Sequence, residues 1–156
     1  MRKFNTHFYI IFYLSFTTLA SFYSSFINAN EDLKKLRVPD GFEISVYADE
    51  LDSPRQIAET DKGYIVVGSK KGDKIFALYD EDLDGYAEKR ILISENLQNP
   101  TGVTVHDGNL YFAEIDTIWV IEDIDKWLNS NSKSLPNKSI YMNDLPSETW
   151  HGFKYI

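Results

Sequence analysis

A strand pair that occurs twice constrains this chain more than any other feature. Pro54 to Tyr79 reads PRQIAETDKGYIVVGSKKGDKIFALY, and Pro100 to Ile121 reads PTGVTVHDGNLYFAEIDTIWVI. Pro54 aligns with Pro100 and Ile57 with Val103, an offset of 46 residues. Gly63 aligns with Gly108, and Ile65-Val66-Val67 with Leu110-Tyr111-Phe112. His151-Gly152-Phe153 matches Thr101-Gly102-Val103 at an offset of 50 and opens a third copy. A repeat of about 40–50 residues made of short strands predicts an all-β fold, a β-propeller with one blade per copy. The chain then holds about two blades and the start of a third. Since a ring takes about four to eight blades, the expectation is an N-terminal piece of a longer protein or a truncated reading frame.

The pattern predicts each element in turn. Val38-Pro39-Asp40-Gly41 reads as a turn. Residues 42–48 (FEISVYA) begin with alternating apolar and polar side chains, which predicts a half-buried strand that closes the ring. In the first blade, strands are predicted over 55–59, 64–68, 74–79 and 90–94, with a hairpin turn at Asp61-Lys62-Gly63. In the second they are predicted over 101–105, 109–113, 117–121 and 139–142. Asp123 is the predicted N-cap of a short helix, DIDKWL, and Gly152 to Ile156 is predicted to open a third inner strand.

Residues 1–29 stand apart. Arg2 and Lys3 precede an uncharged, mostly apolar run from Phe8 to Ile27, and Ala29 offers a cleavage site. This layout predicts a signal peptide over 1–29 and a mature domain over 30–156, exported to the periplasm or secreted. An uncleaved anchor is the alternative, because the run is long enough to span a bilayer. Membrane association is expected only in that case. Residues 30–156 carry 14 basic and 24 acidic side chains, net −10. That balance argues against a nucleic-acid partner. The absence of cysteine excludes disulfides, thiolate nucleophiles and zinc–thiolate sites.

Equivalent repeat positions should lie on one ring around the axis. Arg55, Thr101 and His151 share one such position, and Gln56, Gly102 and Gly152 the next. His151 is therefore the candidate catalytic base, since imidazole titrates near neutral pH. Packing of the histidine on Trp150 is the other reading. Asp80, Asp82, Asp84 and Gly85 match the front of a calcium loop, D-x-D-x-D-G. Ile91 stands at the twelfth position, where a bidentate Glu belongs, and Glu88 at the ninth is a partial substitute. A solvated acidic hairpin is the competing reading.

The stretches PDGFEISVYADELDSPRQIAE, GYIVVGSKKGDKIFALYDEDLDGYAEKRILI, LQNPTGVTVHDGNLYFAE and DLPSETWHGFKYI resemble the N-terminal part of pyrroloquinoline-quinone-dependent sugar dehydrogenases, in particular the sorbosone and pyranose dehydrogenase branch. The resemblance covers nearly all of residues 38–156, and the DLPS…HG element is its most specific part. It implies a six-bladed propeller that holds pyrroloquinoline quinone (PQQ) over the channel with calcium beneath, a sugar or polyol substrate, and an electron acceptor such as a cytochrome or quinone. It implies that His151 takes the proton from the sugar hydroxyl while hydride passes to the quinone. It implies cofactor contacts from Gln98 or Asn99 and, against a quinone carboxylate, from Arg55, which is equally readable as a solvated strand-end residue. The family's other cofactor residues and its calcium-binding backbone would lie beyond Ile156, so this stretch alone is not expected to hold the cofactor. The alternatives are a calcium-dependent sugar lactonase on a six-bladed propeller, for which the ring positions lack carboxylates, and a non-catalytic binding propeller.

Overall fold

Two four-stranded antiparallel sheets, each a meander, account for nearly all regular structure in the computed structural model, which describes residues 33–130, 132–150 and 152–156. The described residues up to Val46 and those from Tyr47 to Ile156 form separate units. In the first unit, Phe42 N–H donates to the Pro39 carbonyl at 3.1 Å, and Gly41 adopts φ 87°. The turn read at residues 38–41 is therefore present. The strand predicted over 42–48 is not, and Phe42 is 71% exposed. Alternation supplies the side chains of a strand, but a ladder also needs a partner, and no described strand pairs with these residues.

The first sheet comprises β1 (Pro54–Glu59), β2 (Ile65–Ser69), β3 (Ile75–Tyr79) and β4 (Lys89–Ser94) in sequence order. The second comprises β5 (Gly102–His106), β6 (Asn109–Ala113), β7 (Ile118–Ile121) and β8 (Ser139–Met142). The β5–β6 turn places Asp107 at φ 47° and Gly108 at φ 75°, the two positive values that a two-residue hairpin of matching twist requires. The predicted inner strand over 152–156 is not a strand here. Its described backbone meets side chains instead: the Gln56 amide nitrogen donates to the Ile156 carbonyl at 2.9 Å and to the Val103 carbonyl at 3.0 Å.

The sheets stack face to face. Val66, Ala77 and Ile93 of the first sheet meet Val103, Leu110, Phe112 and Ile121 of the second in one buried cluster. Burying each aliphatic or aromatic side chain there contributes about 1.5–3 kcal/mol. The stack is head to tail: the strand register puts Ile57 and Val67 on the opposite face of the first sheet, whereas their repeat equivalents Val103 and Phe112 face inward. Val103 is accordingly 0% exposed and Ile57 64%. That opposite face is partly covered by Tyr47, Ala48 and Leu51. At the seam, Gly68 admits the Thr101 carbonyl and Gly102 the Lys154 carbonyl where any Cβ would collide.

A short helix, α1 (Ile124–Leu128), closes one end of the core with Ile124 and Leu128. Asp123 takes the N-cap position as predicted, and its carbonyl accepts the N–H groups of Lys126 at 3.0 Å and Trp127 at 3.2 Å. It sits in the left-handed region at φ 50° and makes no side-chain cap. The chain turns sharply after β7, and the Ile124 N–H is satisfied by the Gly108 carbonyl at 3.0 Å.

Candidate functional site

The strand registers sort the loops into two ends. Residues 50–54, 69–74, 95–101 and 113–117 lie where β1 and β5 begin; the turn at 60–64 and the loop at 80–88 lie at the other end. At the first end, Glu50, Ser53, Asn96 and Asn99 all have positive φ, between 49° and 59°. Glu50 with Asn96 and Ser53 with Asn99 are pairs at the 46-residue repeat offset. Non-glycine residues hold this conformation only where the surroundings dictate it, and the two loops leading into the inner strands share it.

Both loops are latched by side chains at the end of the second strand of their sheet. The Ser69 hydroxyl donates to the Asp52 carbonyl at 2.5 Å and accepts the Gly72 N–H at 2.8 Å. The Glu114 carboxylate accepts the Gln98 N–H at 2.5 Å and the Trp119 indole N–H at 2.7 Å. Sequence reading missed Glu114, whose only signal is that it aligns with Ser69. Gln98 is exposed and Asn99 half-buried, with the Asn99 carbonyl accepting the Thr101 N–H at 2.7 Å. Thr101 does not face a channel as its ring position suggested. It is 1% exposed, and its hydroxyl points at the Asn99 and Ser69 carbonyls at 3.3 and 3.4 Å. Arg55 is exposed at the head of β1; its Nε donates to the Tyr155 hydroxyl at 2.8 Å, and its guanidinium lies 5.8 Å from that ring's centre. The structure thus places Arg55 beside the 152–156 segment, and Gln98 and Asn99 beside Glu114 and Thr101. His151 lies outside the described residues.

The acidic loop occupies the opposite end. Asp80, Asp82, Asp84 and Glu88 each offer a carboxylate oxygen, and these lie within 4.8 Å of one another. The loop organises its own carboxylates: Asp80 accepts the N–H groups of Leu83 at 2.7 Å and Gly85 at 2.9 Å, Asp84 that of Tyr86 at 2.8 Å, and Glu88 that of Glu81 at 2.9 Å. Four hard oxygen donors at this spacing suit a cation such as calcium, and Glu88 joins the set from the ninth loop position. Lys89 is ion-paired to Glu81, and that bond raises its pKa. The Tyr47 phenol is pushed up by burial and then by the nearby Asp80 charge. Tyr86 is raised by burial and then by its 3.1 Å bond to Asp49.

Residues 28–135 match the profile of a family described as a domain of unknown function, DUF7133. This chain belongs to the DUF7133 family. An uncharacterized protein of Borreliella burgdorferi is 28% identical over 131 residues, which is 83% of this chain and 31% of that protein. The DUF7133 chain therefore spans about a third of the length of the curated relative it matches. The matched stretch takes in both sheets as far as β7 together with the acidic loop.

Proposed function

We propose that the two sheets are adjoining blades of a β-propeller, and that its inner-strand end carries the site of an exported, PQQ-dependent sugar or polyol dehydrogenase. The head-to-tail stacking is the observation that carries this reading. The first sheet buries one face against the second; its opposite face, only partly covered by Tyr47, Ala48 and Leu51, still exposes Ile57, and the second sheet's Tyr111 face is half-buried, so each has room for a further sheet. A head-to-tail interface closes into a ring when its rotation allows.

The donor set fits the cofactor in part. Arg55 offers guanidinium donors beyond the one on Tyr155, in a fork suited to a carboxylate. Gln98 and Asn99 sit on a strained, latched loop of the kind that orients a ligand. The bound quinone would supply the hydride acceptor. His151 would hold the proton leaving the sugar hydroxyl. The acidic loop is at the other end of the strands, so calcium there would be structural and distinct from the calcium expected beneath the quinone.

The test is His151→Ala in the protein expressed from its own locus and supplied with PQQ and calcium. A positioned base is worth about 10²–10⁴-fold, so sugar-dependent reduction of the quinone should fall by that order with an unchanged melting temperature. Quinone reduction at the parent rate would remove the assignment of His151, and a parent protein that never reduces PQQ with any aldose or polyol would remove the dehydrogenase reading.

A further inference from the structure

Three successive residues fix the loop that leads into β5. Leu97 is buried, and its N–H donates to the Asp73 carbonyl at 3.0 Å. The Gln98 N–H donates to the Glu114 carboxylate, and the Asn99 carbonyl accepts the Thr101 N–H. Of these three bonds, only the middle one ends on a side chain. It lies between Asn96 and Asn99, whose positive φ angles persist only where their surroundings dictate them. Glu114 is itself held: one carboxylate oxygen takes the Gln98 N–H and the other the indole N–H of Trp119, a ring packed against the core. The repeat makes this bond informative. Asp52 is the equivalent of Gln98 at the 46-residue offset, but its latch has the opposite sense, with the Ser69 hydroxyl donating to the Asp52 carbonyl. In the second sheet a charged acceptor stands in place of a neutral donor, and a hydrogen bond to an ionised group is roughly twice as strong as a neutral one.

We propose that Glu114 is a positioning residue for the inner-strand end: it fixes the backbone from which the exposed Gln98 side chain reaches the ligand bound there, and it acts through Gln98. The inference rests on the dehydrogenase reading for the identity of that ligand, PQQ. The Gln98 side chain offers an amide donor and an amide acceptor. On a fixed backbone it gives up only its own rotamer freedom when the ligand arrives, whereas on a loose loop the backbone must be ordered as well. Breaking the Glu114 bond therefore weakens binding without removing any atom that meets the ligand.

The experiment is calorimetric titration with PQQ, in the presence of calcium, of the protein expressed from its own locus, with hydrogen exchange followed at the 95–99 amides. Glu114→Ala should weaken PQQ binding roughly tenfold or more and speed exchange of the Gln98 N–H by a similar factor, the scale of one lost charged hydrogen bond. Glu114→Gln keeps one acceptor oxygen for that N–H and should recover part of the affinity. Gln98→Ala leaves the backbone N–H in place and should cost about as much as Glu114→Ala; the double variant should cost no more than either, because residues that act as one unit are not additive. Thr60→Ala breaks the 2.6 Å bond to Asp125 at the far end and should leave PQQ binding unchanged whatever it costs in melting temperature. Circular dichroism checks the fold of each variant, and if Glu114→Ala does not fold, Glu114→Gln decides alone, with an intermediate loss expected. Three results overturn the proposal while the parent still binds PQQ: parent affinity in the Glu114 variant, unchanged Gln98 exchange, or additive losses in the double variant. A parent protein that binds no PQQ removes the dehydrogenase reading itself, and the role of Glu114 falls with it.

Discussion

Val103 and Ile57 occupy the same place in the repeat and opposite places in the packing, which makes them a matched pair for substitution. Val103→Ala removes two methyl groups from a fully buried site. At about 0.8 kcal/mol for each buried carbon, transfer alone costs about 1.6 kcal/mol, and the residual cavity raises this to about 2–3 kcal/mol. Ile57→Ala removes three carbons, but the residue is 64% exposed. Only about a third of a full burial term of about 2.4 kcal/mol is at stake, so its cost should stay below about 1 kcal/mol. For a unit of this size 1 kcal/mol moves the melting temperature by about 4 °C. Val103→Ala should therefore melt about 8–12 °C below the parent and Ile57→Ala within about 4 °C of it. Thermal and urea unfolding followed by circular dichroism would read both. Equal destabilisation by the two substitutions would refute the head-to-tail stacking.

Two further outcomes are expected. If the acidic loop binds calcium at the weak end of extracellular sites, with a Kd of about 1 mM, about 10 mM calcium stabilises by about 1.4 kcal/mol and raises the melting temperature by about 5 °C; Asp82→Ala should abolish the shift, and an unmoved parent would leave only a solvated turn. Tyr47, Tyr64 and Tyr86 have folded pKa values above the ordinary 10.0, so the unfolded chain loses those protons first; stability should hold below pH 10 and fall as pH rises above it, and phenolate absorbance in the folded protein that rises entirely at the ordinary value would contradict the burial of all three.

The strands were legible because the repeat and the period-2 pattern agree. Asn109–Ala113 and Ser139–Met142 fall where they were read, and the other six strands within a residue at each end. Residues 42–48 and 152–156 misled because alternation describes side chains and says nothing about whether a ladder partner stands alongside. Asp123 was read at the right position, but its backbone lies in the left-handed region and its carboxylate makes no cap bond, which the residue type alone does not show. At the candidate site the residue types were readable, and the latches were not. Glu114 reaches the Gln98 N–H from another loop, and nothing local marks it. Glu88 shows the reverse: its ninth-position spacing sufficed to bring it to the Asp80 cluster.

The two outermost strands are guarded unequally. β4 begins with Lys89 and Arg90, both exposed, and a charged edge discourages a second chain from adding to the ladder. β8 carries Ser139, Ile140, Tyr141 and Met142, all exposed and uncharged. A free edge of that composition is a template for intermolecular β-pairing. In concentrated solution, aggregation of this protein should therefore nucleate at β8, and an edge lysine at Tyr141 is the substitution that would most improve its solubility.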